Sequence, residues 1–306
     1  MMLLADAVPA APGAEEVMAR AETENFPVAS RVLPRRSREH LLAVYGFARL
    51  VDELGDTAAG DRLAALDWLE LELTRAYEGS PEHPLMQRLA RTVRECALPR
   101  GPFERLIEAN RVDQRVARYE TWEQLRGYCA LSANPVGEIV LGVFGAATPA
   151  RIALSDSICT ALQLAEHCQD VAEDYAAGRV YLPAEDLASF DCDPDGVGFG
   201  KSQGRHGETP DHAALRDVLA FEVERARRLL DEGAPLIGQL HGRERLAVAA
   251  FSAGGRAALD AIERAGYDVL AGAPRASTPR RLAALVATLL GRRAGSARVP
   301  APPVGP

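Results

Sequence analysis

The sequence predicts an all-α protein with a single helical domain, and two observations carry this prediction. Apolar residues recur with a period near 3.6 from Ala14 onward, and glycine or proline interrupts them rather than the alternation typical of strands. Aromatic residues make up only 6% of the 306 residues, while the strong helix formers alanine and leucine are abundant. We therefore expect one helical bundle around one core.

The periodicity and the capping residues place the expected elements in chain order. Helices are predicted at residues 14–22, 35–56, 61–78, 84–97, 102–116, 121–131, 135–146, 149–177, 211–232, 235–240, 243–271 and 277–291. The glycine- and aspartate-rich segment 191–210 is predicted to be a loop or flexible flap. The helical domain therefore covers residues 14–291, between disordered tails at residues 1–13 and 292–306.

Charge and cysteine content argue against several classes of function. The net charge of −8 and the pI near 5.4 argue against a nucleic-acid partner. Five cysteines without a C-x-x-C pair indicate neither a disulfide framework nor a zinc site. No apolar run approaches the roughly 20 residues that span a bilayer. We expect a cytoplasmic protein, and peripheral contact of the arginine-bearing tail 292–306 with the inner face of a membrane is an open alternative.

Two acidic clusters inside helical patterns are the most informative feature of the chain. The sequence D-E-L-G-D occupies residues 52–56, and D-V-A-E-D occupies residues 170–174. In each cluster the outer aspartates are four residues apart, so both carboxylates lie on one helix face. Two like charges about 4 Å apart repel by roughly 4 kcal/mol at an effective dielectric near 20, so converging aspartates need cations. Mg²⁺ suits them, because it binds through one or two carboxylates and keeps positions open for phosphate oxygens.

These clusters predict a diphosphate site in a central cavity between the two helices that carry them. On the first helix, Tyr45 and Arg49 share a stripe with Asp52 and Asp56. A solvated surface is the alternative reading of this stripe. The surrounding residues are apolar nearly all round, however, and a buried helix does not carry charge without a compensating role.

The second helix carries a similar acidic stripe. Glu166, Asp170 and Asp174 follow one another at intervals of four, with Gln163 beside them. The helix is expected to stop at Gly178, and Arg179 and Tyr181 follow. His167 lies a step off the stripe, where a core or surface histidine is the favoured interpretation and a general base is the alternative.

Several segments of the chain together resemble the squalene/phytoene synthase family of head-to-head isoprenyl diphosphate synthases. The matching segments are E-N-F-P-V-A-S-R-V-L-P at 24–34, Y-G-F-A-R-L-V-D-E-L-G-D at 45–56, Y-C-A-L-S-A-N-P-V-G at 128–137, A-L-Q-L at 161–164 and Q-D-V-A-E-D-Y-A-A-G-R-V-Y-L-P at 169–183. The opening and the S-A-N-P-V-G segment look most like the bacterial branch found with hopanoid biosynthesis, whose members are hydroxysqualene synthases. The resemblance implies an isoprenoid-synthase-type helical bundle.

The resemblance also implies roles for individual residues. The ligands of two or three Mg²⁺ ions would be Asp52, Asp56, Asp170 and Asp174. Catalytic side chains lining the cavity or orienting a water would be Tyr45, Tyr128, Tyr181 and Gln163. Substrate-binding residues would be Asn25, Phe26, Ser30, Arg31, Arg49, Asn134, Glu166, Arg179 and Tyr267. Among these, the guanidinium groups of Arg49 and Arg179 would pair with phosphate oxygens.

The sequence departs from relatives that make phytoene or dehydrosqualene. Those proteins often read N-x-x-R-D before the second cluster, whereas this chain has Glu166 and Gln169 at the asparagine and arginine positions. The expected reaction is therefore ionisation of presqualene diphosphate, rearrangement and capture by water to give hydroxysqualene, without NADPH or FAD, since the chain has no G-x-G-x-x-G fingerprint. The alternatives left open are condensation of two farnesyl diphosphates to presqualene diphosphate, squalene or a phytoene-like product, a terpene cyclase, and a noncatalytic isoprenoid-binding protein. Association with other squalene-pathway enzymes is also left open.

Overall fold

The computed structural model describes residues 33–56, 60–197, 210–270 and 272–291. Within these ranges every regular element is a helix, and extended pairing is limited to an isolated bridge between Arg118 and Val180. The prediction of an all-α fold is confirmed. The predicted helix 14–22 and both predicted tails lie outside the described residues, and the single-domain boundary stays a prediction.

The described helices follow the predicted order closely. They are α1 (Arg35–Asp56), α2 (Arg62–Glu78), α3 (Pro84–Glu95), α4 (Gly101–Asp113), α5 (Trp122–Ser132), α6 (Asn134–Val143), α7 (Pro149–Gln169), α8 (Val171–Ala176), α9 (Ala184–Ser189), α10 (Pro210–Gly233), α11 (Pro235–Gln239), α12 (Gly242–Arg264) and α13 (Thr278–Leu289). None of them is long and apolar enough to cross a membrane.

The described residues divide into two compact units. The first unit contains the residues up to Arg115 together with Ala130–Ile152 and Leu240–Ala247. The second unit contains Val116–Cys129, Ala153–Gln239 and the residues from Val248 onward. The first acidic cluster belongs to the first unit and the second acidic cluster to the second.

The core of the first unit sets the orientation of α1. Phe47 and Leu54 of α1 are buried together with Leu69 of α2 and Phe103 of α4. The rings of Phe47 and Phe103 meet edge-on, with their centroids 5.3 Å apart. Burying side chains of this size stabilises the fold by about 1.5–3 kcal/mol each. The apolar faces of α1 therefore pack in the core, and the stripe that contains Asp52 lies at the edge of that core.

A partly buried arginine, Arg225, organises part of the second unit. The guanidinium of Arg225 on α10 lies 4.6 Å from the ring of Trp122 and 4.7 Å from that of Phe221. It also donates to Asp186 on α9 at 2.7 Å and to Glu222 at 2.5 Å. These contacts fix α9 in place. Sequence analysis missed this six-residue helix because it is too short to show a period of 3.6.

Two predicted helices end differently in the structure. The predicted helix 149–177 breaks at Asp170, whose backbone (φ −103°, ψ 14°) separates α7 from α8. The predicted helix 243–271 ends at Arg264, because Gly266 and Tyr267 adopt left-handed φ values of 63° and 60°. Tyr267 therefore lies in the turn after α12 and not within a helix.

Candidate active site

The first acidic cluster forms the last turn of α1. Asp52 has its Oδ2 atom 3.7 Å from Nη1 of Arg49, and 49% of its side chain is exposed. Asp56 is exposed and Tyr45 is buried. The predicted stripe therefore runs from a buried phenol through an arginine to two accessible carboxylates, and the arginine lies beside Asp52.

Gly55 within this cluster is required by a close helix–helix approach. A Cβ atom at this position would lie 2.1 Å from Oδ1 of Asn110 on α4, far inside contact distance. Gln114 donates to the carbonyl oxygens of both Gly55, at 3.0 Å, and Asn110, at 3.1 Å. A larger residue at this position would therefore force the Asn110 side chain to move and would disturb the contact between α1 and α4.

The second acidic cluster keeps its helical spacing across the break at Asp170. The amide of Asp170 donates to the carbonyl of Glu166 at 2.9 Å, and the amide of Asp174 donates to that of Asp170 at 2.8 Å. Gly178 then turns the chain with a φ of 80°, and the amide of Arg179 donates to the carbonyl of Asp174 at 2.8 Å. The predicted stop at Gly178 is confirmed, and the turn returns Arg179 to the cluster.

Burial and neighbouring negative charges raise the pKa values of both aspartates of the second cluster. Burial raises the pKa of Asp174 to about 7, Asp170 and Glu166 add to the rise, and Arg179 opposes it. Burial and the nearby Glu173 likewise raise the pKa of Asp170, against the pull of Arg275. Near neutral pH the cluster therefore holds more negative charge than its arginines balance, and a proton or a metal cation stabilises it.

His167 lies beside this cluster. Its ring stacks on that of Tyr181, with centroids 3.9 Å apart and planes inclined by 13°. Its Nδ1 atom is 3.9 Å from Oδ2 of Asp174. Because burial lowers the pKa of His167 to about 3, the imidazole is neutral at physiological pH. The interpretation of His167 as a buried histidine agrees with the structure, but sequence reasoning missed how close it lies to Asp174.

Three tyrosines form an aromatic wall next to His167. The ring of Tyr119 lies 5.5 Å from that of Tyr128 and 5.9 Å from that of Tyr181, and Tyr128 and Tyr181 are 5.7 Å apart. All three are buried. Such faces and phenol dipoles can stabilise a carbocation.

Tyr119 was not singled out by sequence analysis, and its position explains why. The amides of Val180 and Ala184 donate to the carbonyls of Ala117 and Tyr119, at 2.8 and 2.9 Å. This pairing joins segments about sixty residues apart and places Tyr119 beside Tyr181. Helical spacing gives no signal for a contact made between two non-helical segments.

The structure brings part of the predicted site together within the second unit. A small pocket is lined by His167, Asp174, Arg179 and Tyr181 together with Val171 and Leu215. Gln163 is half-buried on α7, and Glu166 is exposed.

The other predicted residues lie elsewhere. Asn134 is buried at the start of α6 in the first unit. The charged neighbours of Tyr267 are Glu263, Arg227 and Glu224, and burial is the main cause that raises its pKa. Substrate-binding roles were also predicted outside the described residues, at Asn25, Phe26, Ser30 and Arg31.

A magnesium ion fits the chemistry of the second cluster. Among the described residues, no group of three or more His, Cys, Asp or Glu side chains is arranged to hold a metal by itself. Mg²⁺ needs only one or two protein carboxylates, because waters and substrate phosphates complete its octahedron. The partly buried Asp170 and Asp174, with their raised pKa values, offer such a pair.

Comparisons with known proteins give the class. The family model for squalene/phytoene synthase matches residues 19–282. The chain is 36% identical to a hydroxysqualene synthase of Rhodopseudomonas palustris over 221 residues, which is 71% of each chain. It is 31% identical to a 15-cis-phytoene synthase of Synechococcus elongatus, over 87% of this chain and 88% of the relative.

A solved structure agrees with both sequence comparisons. The crystal structure of squalene synthase HpnC from Alicyclobacillus acidocaldarius superposes with a TM-score of 0.74 at 45% identity, covering 83% of this chain and 93% of that one. The fold is that of the squalene synthase-like enzymes. The chain belongs to the squalene/phytoene synthase family, whose members act on isoprenoid diphosphates with head-to-head synthase chemistry.

Proposed function

We propose that this enzyme converts presqualene diphosphate into hydroxysqualene in a Mg²⁺-dependent reaction that uses neither NADPH nor FAD. The observation that carries the proposal is the second acidic cluster, where Asp170 and Asp174 lie beside the stacked rings of His167 and Tyr181. The crowded carboxylates would bind the cation that assists ionisation of a diphosphate. The adjacent aromatic wall would stabilise the resulting carbocation. The similarity to the hydroxysqualene synthase of R. palustris supports the choice of hydroxysqualene as the product.

Different residues of the chain would bind the metal ions and the diphosphate. Asp52, Asp56, Asp170 and Asp174 would hold the metal ions, and Arg49 and Arg179 would pair with the diphosphate oxygens. Bound Mg²⁺ would neutralise the charge that develops on the leaving diphosphate. When the carbon–oxygen bond breaks, its electron pair leaves with the diphosphate, so the carbon skeleton becomes cationic.

The aromatic wall would protect that cation. Tyr128 and Tyr181 present buried ring faces, and the neutral His167 adds a polar but uncharged surface, so this wall offers no competing positive charge. One positioned water would add to the rearranged cation and lose a proton, which gives the alcohol. Gln163, Asn134 and Glu166 are our candidates to position that water, because a carbocation reacts with the nucleophile already beside it.

The competing function is condensation of two farnesyl diphosphates, and the phytoene synthase of S. elongatus favours a product of that type. Against it, Gln169 replaces the arginine of the N-x-x-R-D pattern, and its Nε2 atom donates to the carbonyl of Pro274 at 2.5 Å. That side chain is therefore engaged with protein backbone, which supports the choice of presqualene diphosphate over a second farnesyl diphosphate.

Product analysis tests the proposal directly. Purified protein is incubated with Mg²⁺ and either presqualene diphosphate or farnesyl diphosphate in ¹⁸O-labelled water, first without NADPH and then, in a parallel reaction, with it. We expect ¹⁸O-labelled hydroxysqualene from presqualene diphosphate. Unlabelled product, or squalene formed only when NADPH is supplied, would reject water capture, and turnover of farnesyl diphosphate alone would favour condensation.

A further inference from the structure

The C-terminal helix α13 exposes an apolar stripe. Leu282, Val286 and Leu290 follow one another at intervals of four, so they lie on one face of the helix, and they are 61%, 50% and 62% exposed. The only other exposed large apolar side chains among the described residues are Leu63 and Leu71. No residue of α13 is buried. A helix that turns its leucines outward in this way marks an interaction surface.

The charge around α13 indicates what covers this stripe. After Asp268 the sequence contains six arginines and neither aspartate nor glutamate, although the chain as a whole has a net charge of −8. Arg280 and Arg281 lie in the first turn of the helix itself, and Arg280 is exposed. This arrangement fits the surface of an anionic membrane. The exposed apolar side chains would contact the acyl chains, and the arginines would contact the negatively charged headgroups.

The attachment of the helix places this surface near the second acidic cluster. Gln169, next to Asp170, holds the carbonyl of Pro274 four residues before α13 begins, and Arg275 is close enough to Asp170 to lower its pKa. Within the second unit, the segment leading into α13 is therefore fixed to the end of α7.

We propose that α13 docks the protein on anionic lipid bilayers, with Leu282, Val286 and Leu290 in the acyl boundary and Arg280 and Arg281 at the headgroups. Docking there would bring the second acidic cluster close to lipid-borne substrates, a consequence that rests on the proposed function, while the docking itself does not. A second copy of this chain is the alternative partner of the stripe. We disfavour it, because contact between two α13 helices would bring their arginines together and like charges repel.

Vesicle sedimentation tests the docking with the full chain. Vesicles of phosphatidylcholine alone are compared with vesicles in which phosphatidylglycerol replaces part of it, at low and high salt. We expect binding to the anionic vesicles only, and weaker binding as salt rises. No binding, or equal binding to both kinds of vesicle, would overturn the proposal.

Matched variants locate the surface. Replacing all three apolar residues (Leu282→Gln, Val286→Gln, Leu290→Gln) should weaken binding by at least about tenfold. The control Leu63→Gln/Leu71→Gln, in which Leu71 is as exposed as Leu282, should not change it. The pair Arg280→Gln/Arg281→Gln should weaken binding by about fivefold per arginine, and the exposed pair Arg88→Gln/Arg94→Gln should leave it unchanged.

Light scattering separates the membrane from a second copy. None of the substituted positions on α13 is buried, so circular dichroism should match the wild type in every variant. A wild-type dimer that the triple glutamine variant dissociates would show that a second copy covers the stripe and would overturn lipid docking. A monomer that binds anionic vesicles supports it.

Discussion

The two acidic clusters share one spacing but have different surroundings. The first ends an unbroken helix, where Asp52 is half exposed and has Arg49 within 3.7 Å. In the second cluster the helix breaks at Asp170. Burial and three further acids raise the pKa of Asp174 to about 7. The same D-x-x-x-D pattern therefore gives one cluster that solvent and a cation already stabilise and another that is electrostatically crowded. The second cluster gains more from a bound metal ion.

The largest effect we expect is on turnover. Asp52→Asn and Asp170→Asn should each reduce it by more than about 100-fold, since loss of outer-sphere partners alone costs 10–100-fold at metal sites. Both variants should stay folded, because removing a like charge relieves repulsion. Steady-state assays with an isoprenoid diphosphate and Mg²⁺ measure this, with the exposed Asp217→Asn as control. Near wild-type turnover in either variant would break the assignment of that cluster.

A difference in pH dependence would sharpen the comparison. If Asp174 is a Mg²⁺ ligand as proposed, the metal needs its carboxylate form. Because burial raises the pKa of Asp174 to about 7, protons would compete with the metal below that pH. Affinity should fall by up to about tenfold per pH unit below pH 7 and level off above pH 8. Calorimetry in buffers of different ionisation enthalpy counts the protons released. Asp52→Asn should keep this dependence and Asp174→Asn should lose it, and the opposite pattern would assign the crowded site to the first cluster.

A packing change probes the first cluster. Gly55→Ala drives a methyl group against Oδ1 of Asn110 and should lower the free energy of unfolding by about 1–3 kcal/mol. Asn110→Ala should recover part of this loss in a double-mutant cycle. Gly127→Ala in α5, with nothing within 4 Å of the added Cβ, should instead stabilise by about 0.5–1 kcal/mol. Guanidinium denaturation of the wild type and the four variants measures these changes, and equal effects at Gly55 and Gly127 would contradict the close approach.

The smallest effect we expect is at His167. The imidazole is neutral, and its Nδ1 atom lies 3.9 Å from Asp174, beyond hydrogen-bonding distance. His167→Phe keeps a ring to stack on Tyr181 and should change kcat/KM by less than about threefold. A loss as large as that of Asp170→Asn, together with an altered pH profile, would instead identify His167 as the general base.

Sequence reasoning succeeded where a feature depends on residues close together in the chain. The helix with Asp52 and Asp56, the stop at Gly178 and the stripe of Glu166, Asp170 and Asp174 all follow from local periodicity and glycine placement. It failed where contacts between distant segments determine the local structure. The break at Asp170, the short helix α9 and the place of Tyr119 in the aromatic wall were not predicted.

The sequence by itself determined the all-α class, the order of the helices and the two pairs of aspartates, because a period of 3.6 and an interval of four residues are properties of a single helix. Only the tertiary structure decided that Asn110 packs closely against Gly55, that Tyr119 and His167 meet Tyr181, and that burial raises the pKa of Asp174 to about 7. Contact and burial of this kind arise from segments far apart in the chain. The acids that add to the raised pKa of Asp174 are its neighbours in sequence, but burial, the largest cause, is set by the tertiary structure.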